Sequence, residues 1–494
     1  MRTGKQYLEK IAKRKANIYI GSERVEDVTQ HPAYKKAAQV VAKMYDEVSK
    51  PENKGVLTFH DAEDGRDYNA MWLKPRSAED IERRNALHRN WARCSFGLFG
   101  RSPDHVAGWI TGMACMPSVF ERLGQRYVEN IEKYYRYARE NDLYIAYAVV
   151  TPAGAKSSDP TKVTTDKSAP SSAWAQNAAL RVVGETDEGV IISGFKILAT
   201  GAILADEILF GNYQPLAKGQ EAFAVACAVP VDTKGLTLIS RGAFERSGQD
   251  EIDNPLAVNF DETDAVVYCD NVLVPWDRVF AHNHTDAAKA IFNDTPAHVL
   301  GNVQAHIRHL EKLRLLLGVI ERVLSTNQII DIPAVRDMLG LLATRVAMVD
   351  AMVLAETTNL EQWQGGYVAQ DRQALYATMA YTMEYYPEFI NHCRQLMGSH
   401  YFQLPANSGF LDNPVTKDIY MKFSMSENIE ESMEKYKLMR LAWDLIGSEF
   451  ASRHTQYEMF YNGPRHVCRA RALGNFRWEE VRSEVDRLLE SIPA

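Results

Sequence analysis

The sequence predicts an α+β fold of three parts, in which two helical regions flank a central region of strands. Apolar residues recur at three-and-four spacing over residues 1–147 and again over 285–494, which is typical of helices that bury one face. Over residues 148–284, short β-type runs are separated by turn residues instead. A chain of 494 residues also exceeds the size at which one core stops growing, so several subdomains are expected.

The first region, residues 1–147, is predicted to be an N-terminal helical domain. Its segments HPAYKKAAQVVAKMYDEVSK and YVENIEKYYRYARENDLYIAYAVV each place apolar residues on a single helical stripe. Ser77 stands three residues before Asp80, a spacing that favours the start of a helix.

The second region, residues 148–284, is predicted to be a β domain. After Pro152 the chain is small and polar, which indicates a loop, and the β-type runs follow: LRVVGE, GVIISGFKIL, EILFGNY, AFAVACAVP, LTLISR, AVVYCD and VLVP. Because no helical pattern separates these runs, an antiparallel barrel or sandwich is favoured over a dinucleotide-binding α/β unit.

The third region, residues 285–494, is predicted to be a C-terminal helical bundle with a tail. Four segments are long enough for a four-helix bundle, among them HIRHLEKLRLLLGVIERVLS and SENIEESMEKYKLMRLAWDLIGSEFASRHTQYEMFY. Helices, then strands, then a bundle is the order found in acyl-CoA dehydrogenase-like proteins. In that architecture a flavin lies between the β domain and the bundle.

Composition excludes several classes of partner. The net charge of −8 gives no electrostatic reason to expect nucleic acid or an anionic membrane. We find no secretory signal and no apolar run of about 18 residues, so no membrane span is expected. The six cysteines are scattered without metal-binding or disulfide spacing, which favours reduced thiols and a cytoplasmic location.

Common catalytic and nucleotide-binding motifs are missing. The sequence contains no GxGxxG after a strand, no GxxxxGK[ST], no HExxH and no GxSxG. A redox enzyme of this sequence therefore has no obvious site for a nicotinamide cofactor, and its reducing equivalents would arrive on a flavin reduced elsewhere.

Several blocks in one order make the resemblance specific. They are MRTGKQYLE, HPAYKKAA, GRSPDHV, ENDLYIAYAVVTP, ATGAILADEILF, DNVLVPWDRVF, GSHYFQLPA and LAWDLIGSEFASRHTQYEMFYNG. Through them the chain resembles, nearly end to end, the oxygenase component of 4-hydroxyphenylacetate 3-monooxygenase and its relatives, including the chlorophenol monooxygenases.

This resemblance implies an acyl-CoA dehydrogenase-like fold, a homotetramer and an FADH2-dependent aromatic monooxygenase. Reduced FAD, or reduced FMN in its place, would come from a separate NAD(P)H:flavin reductase and react with O2 to a C4a-hydroperoxide that hydroxylates a phenol. Such an adduct survives in a pocket that excludes water. Hydroxylation and oxidative removal of a ring substituent share this first step, so the sequence leaves both open.

Three residues match or replace the family's substrate-binding groups. Arg101 matches the arginine that contacts the phenol oxygen, where a guanidinium stabilises a phenolate. The hydroxyphenylacetate members carry tyrosine where this chain has His105 and histidine where it has Tyr147, so the two groups are exchanged. His105 is a candidate general base, since a histidine titrates near neutral pH.

Other positions match the family's flavin contacts. Where family members read PQxDR, this chain has Pro152, Ala153 and, at the charged end, Lys156, so an amide is lost while a positive charge is kept. Thr200 and Gly201 match a segment that approaches the flavin or the substrate, where glycine permits a close approach.

Near the C-terminus, Arg453, Gln456 and Tyr457 match a stretch that contacts the diphosphate or adenosine part of FAD. His306 matches the base of chlorophenol-acting relatives and is the alternative to His105. His309 follows it at a spacing that could also suit a metal, but no further ligand is obvious, so no metal is expected.

Two other enzyme classes share the predicted architecture. A 4-hydroxybutyryl-CoA dehydratase-like lyase needs three cysteines and a histidine for its iron–sulfur cluster, and this chain offers Cys94 and His306 but leucines such as Leu98 elsewhere. An acyl-CoA dehydrogenase-like enzyme needs a catalytic glutamate in the bundle. A helical scaffold that has lost its chemistry is the non-enzymatic alternative.

Overall fold

Helices form both ends of the chain and strands its middle. The computed structural model describes residues 1–152, 178–212, 216–244 and 251–493. The helices of the N-terminal part and the β region are α1 (Gly4–Lys13), α2 (Pro32–Val48), α3 (Ala78–Cys94), α4 (Pro103–Cys115), α5 (Gln125–Glu140) and α6 (Pro255–Asn259). Those of the C-terminal part are α7 (Thr285–Asn293), α8 (Ala297–Thr326), α9 (Pro333–Ala355), α10 (Arg372–Met397), α11 (Pro414–Phe423), α12 (Ile429–Ile446), α13 (Glu449–Phe460), α14 (Arg465–Gly474) and α15 (Trp478–Glu490).

The strands fall into two larger sheets and two hairpins. They are β1 (Asn17–Ile20), β2 (Glu23–Arg24), β3 (Thr58–Asp61), β4 (Arg66–Asn69), β5 (Ile145–Ala148), β6 (Arg181–Glu185), β7 (Gly189–Thr200), β8 (Glu207–Phe210), β9 (Val225–Pro230), β10 (Leu236–Ser240), β11 (Asp264–Pro275), β12 (Val279–His282), β13 (Glu361–Trp363) and β14 (Tyr367–Ala369). One sheet has the order β2-β1-β10-β11-β7-β6 and the other β12-β9-β8-β5. The hairpins are β3-β4 and β13-β14.

The expectation of an antiparallel barrel is wrong for the residues that the structure describes, because both large sheets are open. Each sheet also contains one parallel pair, β1 with β10 and β5 with β8. Both pairs recruit a strand from the region predicted to be helical. A strand of four residues is too short to show a clear alternation beside long helical patterns.

The predicted runs AVVYCD and VLVP form one long strand, β11, instead of two. Asp270 and Asn271 suggested a turn, but Asn271 instead adopts a positive φ of 51° at a shift in the pairing with β7. This is a β-bulge, which bends a strand without ending it. The turn residues TDEG between the predicted runs LRVVGE and GVIISGFKIL do form a turn, which is closed by a hydrogen bond from Thr186 N to Gly189 O of 2.9 Å.

The last of the predicted long helices is divided in two. α12 ends at Ile446, and Ser448 caps α13 by accepting a hydrogen bond from Ala451 N. Gly447 lies at the break, where it packs against Trp443. Glycine weakens a helix and serine favours its first position, so both residues locally favour the division.

Helix α4 packs unusually close to α8, through glycine. A Cβ on Gly108 would lie 2.4 Å from Leu300 O, and a Cβ on Gly301 would lie 2.2 Å from the Trp109 ring. Neither position therefore tolerates a side chain without movement. This contact fixes the middle of α4 against the start of α8, at the edge of the region where the predicted site residues lie.

The core is continuous from the N-terminal helices into both sheets, and a second core lies within the C-terminal helices. All six cysteines are buried and none forms a disulfide. They act as small apolar residues of these cores.

Candidate active site

A large cavity lies between the sheets and the C-terminal helices. Its volume is about 1590 Å³, which exceeds the usual range for a small-ligand pocket, roughly 300–1,000 Å³. Six of the predicted site residues contribute to its wall: Arg101, Tyr147, Thr200, Arg453, Gln456 and Tyr457.

Arg101 precedes α4 and is buried at the wall, with 4% of its surface exposed. Its Nη1 donates to Nε2 of His105 at 3.0 Å, and its Nη2 donates to the carbonyl oxygen of Tyr461. The guanidinium carbon lies 5.1 Å from the ring centre of Tyr147 and 5.6 Å from that of Tyr457. Among the described residues no carboxylate forms an ion pair with this side chain. Aromatic rings and neutral hydrogen-bond acceptors therefore stabilise its positive charge.

His105 supports Arg101 from behind the wall. Its Nδ1 lies 2.8 Å from Gly301 O, and a carbonyl can only accept, so Nδ1 carries the proton and Nε2 accepts from Arg101. Burial, followed by the positive charge of Arg101, holds the pKa of His105 well below its ordinary value. Both ring nitrogens are thus engaged in a neutral imidazole.

His306 lies on α8, the helix that also carries Gly301. Its Nδ1 is 2.8 Å from Oε1 of Glu356, and both side chains are fully buried. Neither it nor His105 belongs to the cavity wall as the described residues form it. The structure therefore does not bring either candidate base directly against a ring in the cavity. Within the described parts of the chain, no group of three or more His, Cys, Asp or Glu could hold a metal ion.

Tyr147 closes the strand side of the site. It lies in β5, and its ring stacks on Trp109 with 5.9 Å between centres and 24° between planes. It also lies 5.4 Å from the His105 ring. The exchanged pair of residues thus lies around Arg101, with the imidazole behind the guanidinium.

Thr200 and Gly201 lie at the end of β7, where their contacts differ. The Thr200 hydroxyl donates to Oδ1 of Asp264 at 2.7 Å. Gly201 has a φ of +76°, and a Cβ there would lie 2.2 Å from the hydroxyl of Tyr144. That hydroxyl donates to Arg101 O at 2.8 Å. Gly201 thereby lets Tyr144 reach and fix the backbone of Arg101.

Pro152 follows the wall residue Thr151 and is itself absent from the wall that the described residues form. Ala153 and Lys156 lie outside the described residues.

Arg453 is held by carboxylates of the chain itself. Its Nη2 and Nε donate to the two oxygens of Asp264 at 2.8 and 3.0 Å, and Glu262 lies 3.4 Å away. Burial alone would raise the pKa of Asp264, but Arg453 and Arg241 lower it below its ordinary range. These two carboxylates were not predicted from the sequence. The acidic run DETD, whose last residue begins β11, could have indicated them.

Tyr457 and Tyr461 form a stacked pair one helical turn apart, with 6.2 Å between ring centres. A Cβ on Gly100 would lie 2.2 Å from the Tyr457 hydroxyl, so the glycine of the GRSPDHV block admits this ring. Tyr461 was missed by the sequence prediction, although it belongs to the same block as Tyr457 and faces the same wall by its spacing of four.

Two family sequence models cover nearly the whole chain. The model described as 4-hydroxyphenylacetate 3-hydroxylase N terminal matches residues 3–281, and the one described as 4-hydroxyphenylacetate 3-hydroxylase C terminal matches residues 288–490. The chain belongs to the 4-hydroxyphenylacetate 3-hydroxylase family. The family predicted from the sequence blocks is confirmed.

Individual relatives agree with this assignment. The 4-hydroxyphenylacetate 3-monooxygenase oxygenase component of Geobacillus sp. is 29% identical, over 94% of this chain and 91% of its own. The 4-nitrophenol 2-monooxygenase oxygenase component of Rhodococcus sp. is 29% identical over 95% and 88%. A crystal structure of HpaB, the oxygenase component of 4-hydroxyphenylacetate 3-monooxygenase, complexed with FAD and 4-hydroxyphenylacetate, superposes with a TM-score of 0.90 at 27% identity, over 99% of this chain and 98% of that one.

These relatives confirm the acyl-CoA dehydrogenase-like mixed fold and favour the flavin-dependent monooxygenase over the lyase and dehydrogenase alternatives. The cavity suits the FAD that its relatives bind. Its volume is large, and its wall includes Thr200 and Gln456, whose side chains carry a hydroxyl and an amide. The rings of Tyr457 and Tyr461 provide flat apolar faces beside these polar groups.

Proposed function

We propose that this chain is the oxygenase component of a two-component monooxygenase that uses reduced FAD and O2 to hydroxylate a phenol. A separate NAD(P)H:flavin reductase supplies the reduced flavin, FAD or FMN. The observation that carries the proposal is the guanidinium of Arg101, which is buried at the cavity wall and has no carboxylate partner among the described residues.

Arg101 binds the phenol oxygen and stabilises its anionic form. A phenolate donates electron density to the ring carbon beside its oxygen, which makes that carbon nucleophilic. Because the guanidinium is fixed before substrate arrives, its charge acts without reorganisation. The bound reduced flavin supplies two electrons and, with O2, the oxygen atom that is transferred.

His105 and Tyr147 position this group. Neutral His105 accepts from Nη1 of Arg101 and is anchored to Gly301 O, so it fixes the direction of the guanidinium. Tyr147 contributes to the cavity wall, supported by stacking on Trp109, and its hydroxyl is the group we assign to exchange a hydrogen bond with the phenol. His306 has its own buried partner, Glu356, and supports the bundle.

Other wall residues hold the flavin and exclude water. Thr200 and Gln456 provide hydrogen bonds, and Arg453 provides a positive charge once ligand competes with Asp264. The stacked rings of Tyr457 and Tyr461 keep the wall beside Arg101 apolar. A dry site strengthens every charge interaction within it.

The substrate we propose is a para-substituted phenol other than 4-hydroxyphenylacetate, such as a halogenated or nitro phenol. The exchange of His105 and Tyr147 relative to the hydroxyphenylacetate members changes the groups around the phenol oxygen. The Rhodococcus relative, named for 4-nitrophenol, shows that the family extends to such ring substituents.

We further propose a cytoplasmic homotetramer. Apolar side chains are exposed along α9, α11 and α15 of the C-terminal part: Leu341, Met348, Leu354, Val415, Ile419, Phe423, Trp478, Val481, Val485 and Leu488. α9 is long and apolar enough to span a membrane by length and composition, with 17% of its most apolar window buried. Exposed apolar faces of this extent are typical of subunit interfaces.

The proposal is tested by titrating the protein with reduced FAD without oxygen, then adding O2 and a panel of phenols. We expect tighter binding of reduced than of oxidised FAD, followed by hydroxylated product detected by mass spectrometry. Equal affinity for both redox states, with hydrogen peroxide as the sole product for every phenol, would contradict it.

A further inference from the structure

A second cluster of buried charges lies among the C-terminal helices, behind the tyrosine pair. Glu458 of α13 accepts from Arg308 Nη2 at 3.0 Å, from Lys312 Nζ at 2.5 Å and from His309 Nδ1 at 3.0 Å. Lys312 also donates to Nδ1 of His454 at 3.1 Å. All of these side chains are at most 3% exposed. We call these five residues the bundle cluster.

The bundle cluster carries one excess positive charge. Burial would raise the pKa of Glu458, but Arg308 and Lys312 hold it well below its ordinary value. Burial lowers the pKa of Lys312 to about 8, so its ammonium is still charged at neutral pH. Burial also lowers the pKa values of His309 and His454, which are therefore neutral. Two cations thus face one carboxylate.

The excess charge lies directly behind the cavity wall. The guanidinium carbon of Arg308 is 5.5 Å from the ring centre of Tyr457 and 5.9 Å from that of Tyr461. Arg101 lies 5.6 and 5.8 Å from the same two rings. Both guanidinium groups therefore lie against the same tyrosine pair, and no described residue forms an ion pair with the guanidinium at the cavity.

We propose that Arg308, Lys312 and Glu458 form an electrostatic positioning set, whose excess positive charge favours the anionic form of a phenol bound at Arg101. The inference rests on the proposed function. An unbalanced charge in a low-dielectric interior is unfavourable until an anion lies nearby. A phenolate in the cavity is such an anion, and its attraction to a buried charge is stronger in the low-dielectric interior than in water.

The set is sensitive to pH through Lys312. As pH rises through about 8, Lys312 loses its proton, the excess charge disappears and the preference for a bound phenolate declines. The charged and titratable groups that face Lys312 come from its own helix α8, from α13 and from α10: Arg308, His309, Arg453, His454, Glu458 and Tyr386.

The test uses 4-nitrophenol, whose anion absorbs visible light, bound to the full-length protein with oxidised FAD present. Its ionisation is followed by difference absorbance over a range of pH. Lys312→Met should raise the apparent pKa of the bound phenol by about one unit, as expected for a charge removed at about 10 Å with an effective dielectric of ~20. Glu458→Gln should lower it, because it increases the positive excess.

Opposite shifts in the pKa of the bound phenol in these two variants would distinguish an effect of charge from an effect of packing. A purely structural role would change this pKa in the same direction in both variants. Lys312→Arg keeps the charge at every pH and should therefore keep, above pH 8, the preference for phenolate that the unaltered protein shows only below pH 8. It also serves if Glu458→Gln does not fold. Lys133→Met, at an exposed site on α5, is the matched control and should change nothing.

Normal nitrophenol binding with the same pKa in Lys312→Met, Lys312→Arg and the unaltered protein would overturn this inference and leave the proposed function intact. Failure of the unaltered protein to bind any phenol would overturn both.

Discussion

The sheet side and the helix side of the cavity treat buried charge in opposite ways. On the sheet side, Arg453 and Arg241 are paired with Asp264 and with neighbouring carboxylates. On the helix side, the guanidinium of Arg101 forms no ion pair within the described chain, although the backbone N of Arg101 donates to Glu262, and the bundle cluster behind it carries a positive excess. Paired charges serve the protein's own cohesion, whereas a fixed unpaired charge is available to a ligand.

The sheet-side pairs join segments that are far apart in sequence. Asp264 begins β11 and Arg453 lies in α13, and Arg241 follows β10. Loss of one partner should therefore reduce stability more than binding. On the helix side the order is reversed, because Arg101 is held by neutral acceptors and its removal breaks no ion pair among the described residues.

The largest expected effect is on the helix side. Arg101→Ala should reduce product formed per reduced flavin by roughly 10²–10³-fold, the loss typical of a preorganised charge at a reacting oxygen. FAD affinity, measured by fluorescence titration, should change by only a few fold. The matched control is Arg136→Ala on the exposed face of α5. Unchanged hydroxylation would remove Arg101 from the proposed mechanism.

On the sheet side, Asp264→Asn should lower the free energy of unfolding by about 3 kcal/mol, as expected when one partner of a buried ion pair is lost. Because folding lowers the pKa of Asp264, its stabilisation is present above the unfolded value of about 3.9 and is lost as pH falls below it. Urea denaturation at several pH values measures both effects. Asp270→Asn, exposed in the same strand, should be nearly silent.

The spacing of α4 and α8 tests whether the helix side is rigid. Gly108→Ala should destabilise the protein by about 2 kcal/mol, because the new Cβ has no space against Leu300 O. Gly318→Ala, in α8 and with nothing within 4 Å of its Cβ, should stabilise by about 0.5–1 kcal/mol. Thermal denaturation compares the pair. Equal effects would show that the two helices adjust freely.

The smallest effect is expected at Glu262, the neighbour of Asp264. Burial raises the pKa of Glu262, so its ionised form is unfavourable in the folded protein. The stabilisation that Glu262 provides is present at pH values below the pKa of this group in the unfolded chain. It declines as pH rises through the higher pKa that Glu262 has in the folded protein. Glu262→Gln should change stability by less than about 1 kcal/mol, and the variant should gain relative to the unaltered protein as pH increases. If Glu262→Gln lowered the free energy of unfolding as much as Asp264→Asn, the two carboxylates would contribute equally to stability, contrary to this prediction.

Local signals in the sequence predicted much of this site. Arg101 and His105 share one short block, and Tyr457 shares another with Arg453, so each block could be recognised without knowing the fold. The partner of Arg453 could not be predicted, because Asp264 is 189 residues away and their contact depends on how α13 lies against β11. The role of His105 was hidden for the same reason, since Gly301 O fixes its tautomer.

The fold was predictable in its order and less so in its boundaries. The turn before β7 and the long helices have strong local patterns. A bulge at Asn271 resembles a turn in sequence, and the break at Gly447 interrupts an otherwise continuous apolar period. Short strands such as β1 acquire their structure from pairing with a distant partner, which local periodicity does not report.

Because β1 pairs with β10, the ribosome synthesises the first strand long before its partner. At ~5–20 residues per second, a ribosome needs roughly 10 to 45 s to extend the chain from Asn17 to its partner Thr237. During that interval β1 can pair only with the two-residue strand β2, so its other edge is open to association with other nascent chains. During synthesis, residues 1–20 therefore need protection from association with other chains until β10 has been made.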